Sequence, residues 1–60
     1  MSKYRGHLEI YLGATPWDTD SVILKCNDFF GAIQELSTVI NRLEINYGNQ
    51  FKIRGFLREA

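Results

Sequence analysis

One stretch, residues 28–47, constrains the fold more than any other part of the chain. Its sequence is DFFGAIQELSTVINRLEINY, and its apolar side chains recur every three or four residues. This spacing predicts an amphipathic α-helix with one face turned to a core. We expect Asn27 or Asp28 to cap its first turn and Gly48 to end it. The apolar stripe contains Phe29, Ala32, Ile33, Leu36, Val39, Ile40, Leu43 and Tyr47.

Two other stretches alternate apolar and polar residues with a period of two. They are residues 3–12, KYRGHLEIYL, and residues 51–58, FKIRGFLR. Such alternation predicts β-strands with one buried and one open face. Gly6 interrupts the first inward row, which indicates either a bulge or a close approach of the helix. The inward residues are Tyr4, Leu8, Ile10, Leu12, Phe51, Ile53 and Leu57.

The segment between the first strand and the helix divides into a predicted loop and a predicted strand. Residues 13–20, GATPWDTD, are rich in the glycine, proline and aspartate that favour turns. Residues 21–26, SVILKC, are expected to form the second strand, with Val22, Leu24 and Cys26 facing inward. The opposite register is rejected because it buries Lys25.

The order of elements is therefore β-β-α-β, which predicts a single α+β domain over residues 1–60. The first two strands form an antiparallel hairpin, and a right-handed crossover through the helix returns the third strand beside the first. We expect a three-stranded antiparallel sheet in the order 3-1-2, with the helix packed on one face.

Self-association is the expected source of extra stability for so short a chain. Cys26 is the only cysteine, so no internal disulfide can form, and domains of this size often rely on oligomerisation. Phe30 and Ile45 fall outside the apolar stripe, and Tyr47 lies in the last helical turn. These three residues are the expected self-association surface of a homodimer.

The sequence offers no pattern typical of catalysis or cofactor binding. Cys26 and His7, the only thiol and imidazole, are predicted on opposite sides of the sheet, and they are too few for a structural zinc site. The five glycines do not form a phosphate-binding loop. We expect no enzymatic activity, cofactor or metal. The chain also has no run of about 20 apolar residues and no signal-peptide pattern, so we expect a cytoplasmic protein that does not bind membranes.

The outward sheet face is the candidate binding surface. It collects six of the seven basic residues, interleaved with aromatic side chains, while most acidic residues fall elsewhere. Three interpretations stay open: a solvated face, a protein-binding face, and a face for single-stranded nucleic acid. Trp17 is either an interface anchor or a cover for the sheet edge or helix end. The partner-face residues are Lys3, Arg5, His7, Tyr11, Lys25, Lys52, Arg54, Phe56 and Arg58.

One resemblance rests on the strand VILKC, the cap pair Asn27 and Asp28, the helix opening FFGAI, and the turn at Gly48 into FKIRGFLRE. This pattern resembles very small phage-encoded proteins that bind and inhibit host machinery, such as RNA polymerase inhibitors and anti-CRISPR proteins. The resemblance implies a non-catalytic binder from a phage or mobile element that acts by occlusion. The balanced charge departs from the strongly acidic DNA mimics of that class. Of the functional interpretations, the protein-binding inhibitor or regulator leads, and nucleic-acid binding is the alternative.

Overall fold

A computed structural model describes residues 3–60 and contains three strands and one helix. In chain order they are β1 (Tyr4–Leu12), β2 (Thr15–Ile23), α1 (Phe29–Tyr47) and β3 (Phe51–Glu59). The strands form one antiparallel sheet in the order β2-β1-β3, and α1 packs across one face of it, on β3 and β1. The predicted β-β-α-β fold with strand order 3-1-2 is confirmed.

β1 is the central strand, and its side chains alternate between the two faces as predicted. Leu8 and Ile10 are almost completely buried under α1, while Arg5 is exposed on the opposite face. The buried core consists of side chains from β1, from α1 and from the segment after β2, and the helix covers it from above β3 and β1. Its members are Tyr4, Leu8, Leu24, Ala32 and Leu36.

Two glycines allow α1 to lie close to the sheet. A Cβ atom at Gly6 would lie 2.6 Å from Cδ1 of Leu36, and one at Gly55 would lie 2.5 Å from Cδ1 of Ile40. Neither position can carry a side chain unless the helix side chains move. The interruption at Gly6 is therefore a close approach, and the irregularity in the β1–β2 ladder falls instead opposite Ile10 and Tyr11, where Trp17 is the extra residue of β2.

The helix begins and ends where the sequence predicts. The side chain of Asp28 accepts a hydrogen bond of 3.0 Å from the backbone N–H of Gly31, which satisfies a first-turn donor. Asn27 has a different role, because its Oδ1 accepts from the backbone N–H of Lys3. Gly48 has a φ of 94° and ends the helix, with its N–H donating to the carbonyl of Glu44. Within residues 3–60 no helix has the length and apolar character needed to cross a bilayer.

The prediction of a loop over residues 13–20 and a strand over residues 21–26 is wrong. Only Gly13 and Ala14 form the turn, and β2 already begins at Thr15. The side chains of β2 are exposed from Thr15 to Ser21, so the strand is held mainly by its backbone pairing with β1 and shows no apolar alternation.

The end of the predicted second strand differs as well. β2 stops at Ile23, and the following residues connect it to α1. Leu24 is fully buried as expected, but Cys26 is exposed rather than inward. The Cys26 sulfur packs beside the first helical turn, 2.6 Å from where a Cβ of Gly31 would stand.

Candidate functional site

The sheet face opposite α1, called the outer face, is not covered by any helix. Cross-strand pairing arranges it in four rows, each with a β1 residue between a β2 and a β3 residue. Because paired residues share a face, the rows follow directly from the register. They are Ile23–Arg5–Arg58, Ser21–His7–Phe56, Thr19–Glu9–Arg54 and Pro16–Tyr11–Lys52.

Three arginines lie on the outer face on the two sides of the row that contains His7 and Phe56, and we call them the arginine cluster: Arg5, Arg54 and Arg58. Arg5 lies directly opposite Arg58, an arrangement that is unfavourable without an anion because the charges repel. The guanidinium carbon of Arg54 lies 5.3 Å from the centre of the Phe56 ring, which is within cation–π distance. Phe56 is 37% exposed and forms an apolar centre between the charges.

Glu9, in the middle of the outer face, contacts Tyr11 and His7. Its Oε1 accepts a hydrogen bond of 3.0 Å from the Tyr11 hydroxyl, and its Oε2 lies 4.0 Å from Nε2 of His7. The latter contact is an ion pair when the imidazole is protonated. It is the one pair of ionic groups within 4.0 Å in residues 3–60. Arg5 and Arg58 therefore have no described carboxylate within that distance, and Arg54 lies opposite Glu9 in the ladder without forming an ion pair with it. The cluster is therefore available to an external anion.

The structure places seven of the nine predicted partner-face residues on the outer face. The two exceptions are lysines. Lys25 follows β2 instead of lying in it, so its predicted place on the sheet is wrong. Lys3 precedes β1, and its ammonium lies 5.8 Å from the ring of Tyr4, a residue of the helix-packed face. The seven are Arg5, His7, Tyr11, Lys52, Arg54, Phe56 and Arg58.

Trp17 lies at the irregularity in β2 and folds back across the sheet. Its ring centre is 5.5 Å from that of Phe51, which in turn is 5.0 Å from that of Tyr47. The three rings form a cluster at the C-terminal end of α1, so this end of the helix packs on β3 and does not overhang the sheet. The contact with Phe51 agrees with the interpretation of Trp17 as a cover, and its side chain is 57% exposed, so the interface anchor stays a prediction.

The predicted self-association residues do not form one patch. Phe30 is 74% exposed and contacts Phe29 in the first helical turn, whereas Ile45 is 81% exposed near the other end. At 1.5 Å per residue the two lie about 22 Å apart along α1. Tyr47 is half-buried in the aromatic cluster with Trp17. Phe30 and Ile45 are therefore two separate exposed apolar positions.

Glu35 has a structural role that the sequence analysis missed. Its carboxylate accepts hydrogen bonds of 2.9–3.0 Å from the backbone N–H groups of Lys25 and Cys26. These bonds, with the larger effect from Lys25, lower the pKa of Glu35 because they stabilise its charged form. The contact ties the β2–α1 connection to the helix. No local pattern marks it, because the partners are nine and ten residues away.

Within residues 3–60 no group of three His, Cys, Asp or Glu side chains is arranged to hold a metal ion. The arrangement offers instead an open face with guanidinium groups and one central ring.

No protein-family model, curated protein or solved structure matches this chain.

Proposed function

We propose that this chain is a non-catalytic protein-binding domain of the cytoplasm that inhibits or regulates a macromolecular partner through its outer face. The observation that supports this proposal is the arginine cluster, Arg5, Arg54 and Arg58, arranged around the exposed ring of Phe56 with no ion pair to a described carboxylate within 4.0 Å. An open, charged and partly aromatic surface suits binding better than chemistry.

The chemistry of the cluster favours an acidic protein segment as the ligand. A guanidinium group can bind a carboxylate through two parallel hydrogen bonds, and such pairs are stronger than neutral ones. Arginine and aromatic residues are also enriched among the residues that dominate protein interfaces. Phe56 supplies apolar contact area beside the charges. The expected ligand is a segment with Asp or Glu side chains and an apolar residue among them.

One feature of the outer face favours protein over single-stranded nucleic acid. The rings of Tyr11 and Phe56 are separated by the row that contains Glu9, and the Tyr11 hydroxyl is already bonded to the Glu9 carboxylate. Continuous base stacking needs neighbouring rings. Nucleic-acid binding is therefore the second candidate and an outcome of the test below.

The pattern shared with small phage-encoded inhibitors supports action by occlusion of a host protein. Such action requires affinity and a covering surface, and no catalytic group. A chain of 7.0 kDa that binds through one sheet face would block a partner surface of similar size.

Self-association is part of the proposal. Phe30 and Ile45 expose apolar side chains, and a homodimer would bury at least one of them. Sedimentation equilibrium at high micromolar concentration should give twice the chain mass of 7.0 kDa. A single species at the chain mass would contradict the homodimer and leave partner binding untouched.

The central experiment reverses one charge of the arginine cluster. Arg54→Glu should abolish binding to the peptides that the wild-type chain selects from a display library. It should also abolish binding to the intact partner protein that the wild-type chain captures. The matched control is Arg42→Glu, the same charge reversal on the exposed side of α1. It should bind as the wild type does.

Equal loss in both variants, or in neither, would remove the arginine cluster from the proposal. A fluorescent single-stranded oligonucleotide is measured in parallel. Salt-sensitive binding of that oligonucleotide, lost in Arg54→Glu, would favour the nucleic-acid alternative, because phosphate contacts weaken steeply as salt rises.

A further inference from the structure

The two edges of the sheet differ in whether their outward backbone N–H groups are satisfied. Along β2, the N–H of Thr19 donates to the Asp18 carboxylate, and the N–H of Ser21 donates to the Asp20 carboxylate, both at 2.8 Å. Pro16, in the same strand, has no N–H group to offer. The β2 edge is thereby closed to another strand, because carboxylates and proline occupy the places where a neighbour would pair.

The β3 edge is open. The N–H of Ala60 donates to the carbonyl of Lys3, so even-numbered residues of β3 direct their backbone groups toward β1. Backbone groups alternate along a strand, so those of Ile53, Gly55 and Leu57 point away from the sheet. Within residues 3–60 no side chain bonds to these groups. The β3 edge therefore presents a row of backbone donors and acceptors to an incoming strand.

An apolar surface lies above this edge on the helix side. Ile40 lies over Gly55 of β3, and Ile33 and Phe29 precede it by seven and eleven residues on the same helical side. Phe29 and Ile33 are 50% and 40% exposed although they belong to the apolar stripe. The Phe29 ring contacts that of Tyr4 on β1, with ring centres 6.2 Å apart, and the rest of its surface is open.

A groove continues this surface toward the end of α1. It has a volume of about 710 Å³ and runs between the helix and the start of β3, where Asn41, Glu44 and Ile45 face Phe51 and Lys52. The helix side of the β3 edge is thus apolar at one end and concave at the other.

The outer side of the same edge is basic. Lys52, Arg54 and Arg58 project from β3 on the outer face, with no acidic residue between them on that strand. A second copy of β3 paired at this edge would place three more basic side chains on the same face. Charge complementarity therefore favours a different occupant.

We propose that β3 pairs along its open edge with an extended acidic segment of a partner protein, which becomes the fourth strand of the sheet. Alternate side chains of that segment are apolar and lie against Phe29 and Ile33, and those between them are Asp or Glu and face Lys52, Arg54 and Arg58. Strand addition of this kind obtains affinity from main-chain hydrogen bonds and specificity from alternate side chains. The inference rests on the proposed protein-binding function and names the form of the ligand.

The test uses a fluorescent peptide of about eight residues that alternates valine and glutamate, a length typical of a strand. Two control peptides have the same composition in a non-alternating order, or lysine in place of glutamate. We expect the alternating acidic peptide to bind at least about tenfold more tightly than either control. The non-alternating peptide cannot direct all its valines to the helix side, and the lysine peptide is repelled by the basic side chains of the outer side.

Chemical synthesis of the 60-residue chain allows a single backbone change at the edge. N-methylation of Leu57 removes an outward N–H donor and keeps the side chain and the pairing with β1. The methylation should weaken binding of the alternating peptide about tenfold, which is the loss in affinity expected for one hydrogen bond. N-methylation of Ser21 is the matched control at the β2 edge, and it should leave peptide binding unchanged. Circular dichroism verifies that both chains fold.

Three results would overturn the strand-addition proposal. The first is peptide binding that is insensitive to Leu57 methylation, which would place the peptide on the outer face and leave the proposed function standing. The second is no binding by any peptide while Arg54→Glu still abolishes capture of a partner. The third is a homodimer that dissociates on Leu57 methylation, which would make a second copy the occupant.

Discussion

β2 and β3 are both nine-residue strands antiparallel to β1, but their surroundings differ in every other respect. α1 covers one face of β3, whereas β2 extends beyond the helix. Asp18 and Asp20 occupy the helix-side positions of β2 that correspond to Ile53 and Gly55 on β3. The β2 edge is capped by its own carboxylates, and the β3 edge is bare in the described residues.

This difference shows that backbone pairing and tertiary packing are separable sources of strand stability. β3 is held by both, because its helix-facing side chains contact α1. β2 is held by the ladder to β1, by Val22 near the core and by the contact of Trp17 with Phe51. Substitutions on the two strands should therefore change the free energy of unfolding by unequal amounts. Four predictions test this difference on β3, on β2 and at the contact of α1 with the segment after β2.

The largest effect is expected for Gly55→Val on β3. The new side chain would collide with Ile40 and press on Leu36, so we expect a loss of about 2 kcal/mol in the free energy of unfolding. The control is Asp20→Val on β2, which lies on the same face of the sheet as Gly55 but has no helix above it, and the change should stay within about 0.5 kcal/mol. Urea unfolding followed by circular dichroism measures both. Equal losses would show that helix cover does not distinguish the strands.

Trp17→Ala tests the one place where β2 reaches across the sheet. Loss of the contact between Trp17 and Phe51 should lower the free energy of unfolding by about 1 kcal/mol. Ile23→Ala, another exposed apolar residue of β2, should change it by less than about 0.5 kcal/mol. Thermal unfolding followed by circular dichroism compares them. A Trp17→Ala protein as stable as the wild type would mean that the ring cluster contributes nothing.

Glu35→Gln tests how the segment after β2 is tied to α1, through the pH dependence of stability. The folded-state pKa of Glu35 is lowered from 4.5, so its stabilising contribution is present above that pH and is lost as pH falls through the lower folded value. Wild-type stability should therefore fall more steeply below pH 4.5 than that of the variant. Urea unfolding at a series of acidic pH values measures the slopes, and parallel curves would contradict the prediction.

The smallest effect on stability is expected when the β2 edge is made to resemble the β3 edge. The double variant Asp18→Ala and Asp20→Ala removes both carboxylate caps and should change the free energy of unfolding by no more than about 0.5 kcal/mol. It should instead show concentration-dependent association, because an uncapped edge can pair with another strand. Sedimentation velocity measures this. Thr19→Ala, which keeps both caps, should sediment as the wild type does.

Elements with a buried face could be predicted from the sequence. The alternation in β1 and β3 and the three-and-four spacing in α1 arise because one side of each meets the core. The caps at Asp28 and Gly48 follow local backbone chemistry and were also predictable. The positions of seven residues on the outer face could be predicted from the same alternation.

β2 could not be predicted in the same way. Most of it buries no side chain, so it lacks the signal on which a period of two depends, and Pro16 and the aspartates indicate a loop. Lys25 and Cys26 were misplaced because the strand was extended beyond Ile23. The alternate placing of Asp18 and Asp20 is a weak signal of a protected edge strand. The arginine cluster depends on the cross-strand register, which a single sequence does not specify.

The order of the strands also has a consequence for how the chain folds. β1 lies in the centre of the sheet, yet Tyr4 pairs with Glu59 near the other end of the sequence. Forming that pair closes a loop of almost the whole chain. The chain therefore loses conformational entropy before the contacts between β1 and β3 can compensate for the loss. We therefore expect slow, all-or-none folding for a chain of this size, with the sheet completed only after β3 has been synthesised.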